Sequence, residues 1–179
     1  MPHPSLDPVA QRPRLVAWAL SLTANTALAP GRYERQLLAR YEQGELTIDQ
    51  VLDLLDAATY QLLYRSHATT APTPADLQHL LDQARAHNAG AQLTGLLVYR
   101  DGRYVQLLEG PQHEVRALYA CILRDPRHTR VVTLSEGLEP ARLFPSWRMG
   151  LANAAQPAVT RLLDAALAHA PSPGHPLND

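Results

Sequence analysis

Apolar residues recur at helical spacing through residues 14–58, and from residue 60 onward the spacing switches repeatedly between helix and strand periods. In the first stretch RLVAWALSL reads as a short helix that Ala29-Pro30-Gly31 interrupts. YERQLLARYEQG follows and stops at Gly44, a residue suited to a left-handed cap. TIDQVLDLLDAA places Thr47 at the N-cap with Gln50 three residues on, the pattern of a capping box. Its expected apolar stripe is Ile48, Val51, Leu52 and Leu55.

From Tyr60 the order of elements changes. YQLLYRS predicts a strand, ADLQHLLDQARAHN a helix just short of Gly90, and QLTGLLVYR and RYVQLLEG two strands joined at Asp101-Gly102. Asp-Gly between alternating segments is a strong hairpin signal. PQHEVRALYACILRD predicts a second helix with Val115, Leu118, Tyr119 and Ile122 on its stripe, and RVVTLSEGL a fourth strand. FPSWRMGLA predicts a short edge element, and QPAVTRLLDAALAHA a C-terminal helix with Val159, Leu162, Leu163 and Ala166 on one side. The expected fold is α+β: a ferredoxin-like β-α-β-β-α-β sandwich with helices on one face of the sheet and an extra edge strand, preceded by helices and followed by one. The expected division is a Pro-rich disordered leader at 1–13, a helical segment at 14–58, the sheet domain at 59–153, and a helix and tail at 154–179.

Composition narrows the field. A net charge of −1 argues against a general nucleic-acid or anionic-membrane surface. One cysteine, Cys121, excludes an internal disulfide and a multi-cysteine metal site. RPRLVAWALSLTANTALAP has the outline of a signal peptide, but a proline would follow its cleavage point and eleven residues precede Arg12. The run is too short to span a bilayer. The expected setting is the cytoplasm.

Polar residues break the apolar pattern at informative places. Leu62, Tyr64 and Ser66 share one face of the first strand, and Tyr104, Gln106 and Leu108 one face of the third. In the expected topology these strands are neighbours, which brings Tyr64 beside Gln106. Asn88 prolongs the apolar stripe of the first sheet-domain helix and approaches the same spot. Two readings follow: three satisfied polar groups in an ordinary core, or a pocket for a planar polar heterocycle, whose carbonyl and N–H edge a carboxamide matches. None of the three is a good general base, and no nucleophile triad, phosphate-binding glycine loop or metal-type histidine pair is present.

The segments LLYRS, AHNAGAQLTGLLVY, YVQLLEGP, ILRDPRH and FPSWRMG, in that order and spacing, resemble the BLUF family of blue-light sensors using FAD, over residues from about 60 to 153. The resemblance implies a non-covalently bound FAD, with FMN or riboflavin as alternatives, and no catalytic residues. It implies that Tyr64 gives an electron and then a proton to the excited flavin, and that Gln106 bonds both to that tyrosine and to the flavin and rearranges. It implies that Asn88 holds the ring's carbonyl and N–H edge, with His87, Ile122 and Ser66 in the pocket. Asp125, Arg127 and His128 are implied near the ribityl-phosphate end. Trp147 and Met149 are implied to be a pair on the last strand, sharing a face, that exchanges between buried and exposed positions. Read from the residues alone, Arg127 and His128 are equally ordinary surface groups after a helix, His87 suits a helix C-terminus, and Trp147 suits a core.

RLVAWALS and LLARYEQGELTIDQVLDLL resemble VbhA-like antitoxin modules, which restrain Fic-type AMP-transferases. In that family a Ser/Thr is followed by Glu-Gly four and five residues later; here Ser21 is followed by Asn25 and Thr26, so the inhibitory glutamate is missing. The segment is then either a cap for packing or dimer formation or a regulator of a Fic-type partner. No cyclase or phosphodiesterase segment follows in this sequence, so the expected output runs through an unidentified protein partner or a change of homo-oligomer, without nucleic acid or membrane. The competing function is a plain enzyme on the same scaffold, for which the sequence offers no nucleophile or acid-base pair.

Overall fold

The computed structural model describes residues 9–26 and 28–151. The described residues form two compact units: those up to Ala58 with Gly137–Ala141, and Thr59–Glu136 with those from Arg142 onward.

The first unit is built on three helices, α1 (Arg12–Thr23), α2 (Arg32–Glu42) and α3 (Ile48–Asp56). Val16, Tyr33, Leu37, Tyr41, Leu46 and Val51 form its core, with Leu54, Leu55 and Leu138 packed around it. Thr47 and Gln50 form the reciprocal capping box at the start of α3, and Gly44 closes α2 with φ +79°. The α3 stripe is rotated from its expected position: Val51 is buried, whereas Ile48 and Leu52 are exposed. With leucines at 52, 54 and 55 on a nine-residue helix, two apolar faces compete, and the one carrying Leu54 and Leu55 meets the core.

The leader boundary at residue 13 also needs correction. A 3-10 turn occupies Val9–Gln11 and α1 begins at Arg12, with a proline in its first turn, where its missing N–H costs nothing. Arg12 is itself a core group. Its Nη1 donates to the carbonyls of Tyr41 (3.0 Å) and Leu46 (2.9 Å), and its guanidinium lies 4.4 Å from the centre of the Tyr41 ring.

The second unit is a five-stranded sheet in the order β4-β1-β3-β2-β5. Its elements are β1 (Thr59–Ala68), α4 (Pro74–Gly90), β2 (Thr94–Arg100), β3 (Arg103–Gly110), α5 (Gln112–Ile122), β4 (His128–Glu139) and β5 (Gly150–Leu151). β3 runs antiparallel to both β1 and β2, and β5 adds to β2 in parallel. The hairpin turn is Asp101-Gly102 with φ of 51° and 74°, the left-handed pair that a two-residue turn demands. α4 runs through Gly90 instead of stopping before it, and Gln92 supplies the left-handed residue, φ 54°. Gly95 is required: a Cβ there would sit 2.1 Å from the Leu107 carbonyl oxygen.

On the face bearing neither Tyr64 nor Gln106, Leu63, Leu96, Val98, Val105 and Leu107 form a cluster, with Leu134, Phe144 and Trp147 packed on it. The expected C-terminal helix at 156–170 lies outside the described residues. No helix among the described residues is long and apolar enough to cross a membrane.

Candidate functional site

The β1–β3 register places Tyr64 directly opposite Gln106. Both point to the same face because they are paired positions of neighbouring strands. Tyr64 is fully buried, and its hydroxyl donates to Oε1 of Gln106. Burial is the chief cause of a strongly raised Tyr64 pKa, with Tyr119, Asp125 and Tyr104 adding to it. The phenol is therefore firmly neutral, and its proton is committed to the Gln106 carbonyl oxygen. The other end of that amide, Nε2, donates to Met149 Sδ at 3.4 Å. Gln106 thus bridges a strong oxygen donor and a weak sulfur acceptor.

In front of Gln106 lies a cavity of about 230 Å³. Ala84, His87 and Asn88 of α4 form one wall, Leu118, Cys121 and Ile122 of α5 another, and Leu97 and Gln106 the floor. Leu97 is the cross-strand partner of Gln106. Asp125, Arg127 and His128 close one end. Six of the expected site residues other than Gln106 therefore line one space: His87, Asn88, Ile122, Asp125, Arg127 and His128. Tyr64 stands behind Gln106, outside the cavity lining. Ser66, also fully buried, lies under His128, with its Oγ 2.7 Å from Nδ1.

Asn88 carries the most informative atom. Its Nδ2 donates to the Arg148 carbonyl. Its Oδ1, buried in a side chain only 1% exposed, has no hydrogen-bond partner among the described residues. A buried acceptor without a donor costs about 1–3 kcal/mol, so a ligand N–H at this wall would recover that loss. A flavin ring edge, with an N–H between two carbonyls, fits that need, and the apolar walls suit a planar aromatic body.

The far end is charged and ordered. Arg127 forms a bidentate pair with Asp125, at 2.6–3.0 Å, and its backbone N–H also donates to Oδ1 of Asp125. The Arg127 side-chain bonds hold the Asp125 pKa below its ordinary value, and the same bonds raise that of Arg127. Burial lowers the His128 pKa, opposed by Asp125 and reinforced by Arg127. The arrangement offers a neutral imidazole and a guanidinium with one edge committed, a surface suited to a polar ligand tail.

Trp147 and Met149 do not share a face. Trp147 stacks on Phe144, ring centres 5.2 Å apart, and packs on the opposite-face cluster, partly exposed. Met149 is 2% exposed and is the one that reaches Gln106. Neither belongs to the last strand, which is only Gly150–Leu151. The expected alternation fails because residues 142–149 are not a strand: the segment bends, and the Trp147 carbonyl accepts from Gly95 N–H at 2.8 Å.

Glu109 is a buried polar residue of the sheet unit that the sequence reading missed: 0% exposed, it sits on the apolar face of β3 with Val105 and Leu107. The signal was a carboxylate at an apolar position of an alternating strand, the same kind of break that Gln106 makes on the other face.

Residues 59–150, just over half of the chain, match the family model described as sensors of blue-light using FAD. The chain is 35% identical over 83 residues to the blue light- and temperature-regulated antirepressor BluF of Escherichia coli K12, covering 46% of this chain and 21% of that protein. It is 38% identical over 91 residues to the photoactivated adenylate cyclase subunit beta of Euglena longa, covering 51% of this chain and 11% of that protein. The chain thus spans only 21% and 11% of the lengths of these two relatives. Among solved structures it is similar to BlrB, a BLUF protein in its dark state, at TM-score 0.53 and 25% identity, over 62% of this chain and 96% of that one. It is also similar to photo-activated BlsA, at TM-score 0.54 and 28% identity, over 59% of this chain and 77% of that one.

Proposed function

The chain belongs to the BLUF family of flavin-binding blue-light sensors, and we propose that Tyr64, Gln106 and Met149 are its switching element, with Asn88, His87, Ile122, Asp125, Arg127 and His128 holding the FAD. When bound, the flavin supplies the absorption of blue light and an excited state that accepts an electron. The observation that carries the assignment is the pair of amides at one cavity: Gln106 with both ends occupied by the chain's own side chains, and Asn88 with its acceptor unmatched.

The chain's own groups define two discrete states. In the arrangement described, the Tyr64 proton rests between Oη and Oε1 of Gln106, and Nε2 points to sulfur. Turning the amide over puts N–H against the phenol oxygen and the carbonyl against Met149, which cannot donate. Each arrangement is a separate hydrogen-bond set, so the side chain is bistable, as a lasting light signal requires. Asn88, anchored to the Arg148 carbonyl, holds and does not turn.

The same residues support a sensor in place of a turnover enzyme. Ser66 and His128 look like a nucleophile and base, but the serine is fully buried and is not among the residues that line the cavity. Asp125, which would orient the histidine, is held by Arg127. We assign output to a protein partner. Two relatives carry antirepressor and cyclase in their names, and α1 exposes Leu15, Trp18 and Leu22, at 51%, 65% and 61%, on one side. Exposed apolar stripes of this kind mark interaction surfaces. A homo-oligomer is the simplest form of that output. The sensor is assigned to 59–153 and the helices of 14–58 to output, in a cytoplasmic setting. Restraint of a Fic-type partner is less well supported: α1 ends at Thr23, and Asn25, where the inhibitory glutamate would stand, lies beyond the helix with φ 61°.

The test is a light-minus-dark absorption spectrum of the purified chain loaded with FAD. A small reversible red shift is expected; bleaching alone, or no response, overturns the reading.

A further inference from the structure

The buried Glu109 has no part in the cavity. Its hydrogen bonds nevertheless lead to the segment that carries Met149. Oε1 accepts from the Leu143 backbone N–H at 2.6 Å and from Gln61 Nε2 at 2.8 Å; Oε2 accepts from the Phe144 backbone N–H at 2.9 Å and, at 3.5 Å, from Thr94 Oγ1. Two consecutive main-chain amides are thus held by one carboxylate, each by its own oxygen. Next to them Arg142 donates to Thr94 Oγ1 at 3.0 Å and to the Gln92 carbonyl at 2.8 Å. These bonds fasten the start of the segment to β3 and β2. Its end delivers Met149 to Gln106.

Glu109 and Gln106 lie three residues apart on β3 and face opposite sides of the sheet. The strand therefore grips one segment twice, at Leu143–Phe144 through Glu109 and at Met149 through Gln106. A carboxylate accepting two backbone N–H groups makes strong, charge-assisted bonds, whereas an amide-to-thioether bond is weak. The strong clasp fixes the position at which the weak contact is made. We propose that Glu109 is a positioning residue for the switch: by clamping Leu143 and Phe144 it keeps Met149 against Gln106 and so favours return of the amide to the described arrangement. The inference rests on the switching role proposed above for Gln106 and Met149.

The conservative variant is Glu109→Gln. Its single carbonyl oxygen can serve one of the two amides, and its NH₂ would face the other N–H, donor against donor. Arg142→Met weakens the same anchorage from a partly exposed position and keeps the test decisive if Glu109→Gln folds poorly. In the full chain loaded with FAD, both variants are expected to bind flavin and to red-shift as the parent does, but to return in the dark more slowly, Glu109→Gln by about tenfold, corresponding to about 1.4 kcal/mol, and Arg142→Met by less. Amide hydrogen exchange should accelerate at Leu143 and Phe144 in Glu109→Gln. In a Met149→Leu background the effect of Glu109→Gln on recovery should vanish, because a pair that acts in series does not add. Unchanged or faster recovery in both variants overturns the proposal, and so does a slowing that persists undiminished beside Met149→Leu. If the parent chain itself shows no light-induced shift, the photoreceptor assignment fails instead, and amide exchange still decides whether Glu109 holds the segment.

Discussion

Each of the two units buries a polar side chain where an apolar one would pack, and each disposes of it differently. In the helical unit Arg12 sends Nη1 to two backbone carbonyls and lays its guanidinium over Tyr41. It ties the start of α1 to the end of α2 and to the turn before α3, and all of these partners lie in its own unit. In the sheet unit Asn88 spends its donor on the Arg148 carbonyl and keeps an unmatched, buried acceptor in the wall of a cavity. Burial alone does not separate the two. The distinction lies in the surroundings: Arg12 is packed among the backbone carbonyls and the tyrosine ring of its own unit, whereas the open acceptor of Asn88 belongs to a residue that lines a cavity, where a ligand can answer it.

Tyr64→Phe should have the largest effect. The ring still fills its place, so flavin should bind, but without the phenol proton the red shift should be lost entirely. A full shift with normal recovery in this variant would remove Tyr64 from the switch and leave the sheet unit's polar pair as packing. Arg12→Leu comes next. It should destabilise the helical unit by about 3 kcal/mol, two hydrogen bonds from a charged donor at about 1.5 kcal/mol each, and leave the flavin spectrum and photoresponse unchanged. Urea unfolding followed by far-ultraviolet dichroism, set beside flavin absorbance, separates the two signals. Loss of the photoresponse at unchanged helical stability would make Arg12 part of the light response instead of the helical core.

Asn88→Ala should show the converse pattern at smaller scale. Flavin affinity should fall by about 1–3 kcal/mol, roughly fivefold to 150-fold, with a lesser change in the stability of the flavin-free chain. Equilibrium titration with FAD and thermal melts measure the two. The smallest effect concerns His128. Burial lowers its pKa in the fold, so the unfolded chain binds the proton more readily. Stability is therefore present above the unfolded value of about 6.5 and is lost as pH falls through and below it. Asp125, also lowered, adds a loss in the same direction only below about pH 4. Melting points taken across this range should fall on acidification, and His128→Gln should flatten the first part of that fall.

Much of the sheet unit was legible because its signals are local and redundant. The Asp101-Gly102 turn fixes the hairpin, alternation fixes which residues share a face, and the element order brings β1 beside β3, so Tyr64 and Gln106 meet as paired positions. The capping box at Thr47 needed only a spacing of three residues. The misreadings arose where local pattern underdetermines the answer. The leucines of α3 satisfy two faces, and only the core chooses. Arg12 resembled leader sequence because its partners, Tyr41 and Leu46, lie about thirty residues away. Trp147 and Met149 were placed together by counting along a strand that the segment does not form. Glu109 carries no sequence reading, because its role depends on amides at 143 and 144 that no periodicity reveals.

The two-residue β5 has a consequence for how copies of the chain can meet. An unpaired strand edge invites another chain to add to the sheet, and soluble proteins take steps to prevent it. Here the outer side of β2 is already engaged: Gly95 N–H is bound by the Trp147 carbonyl, and Leu96 and Leu97 are registered with Gly150 and Leu151. The short strand works as a guard against sheet-to-sheet aggregation on that side. Because the same segment bears Met149, loosening it to let the switch move also uncovers an adhesive edge, so a variant with a very mobile segment should precipitate more readily under illumination than in the dark.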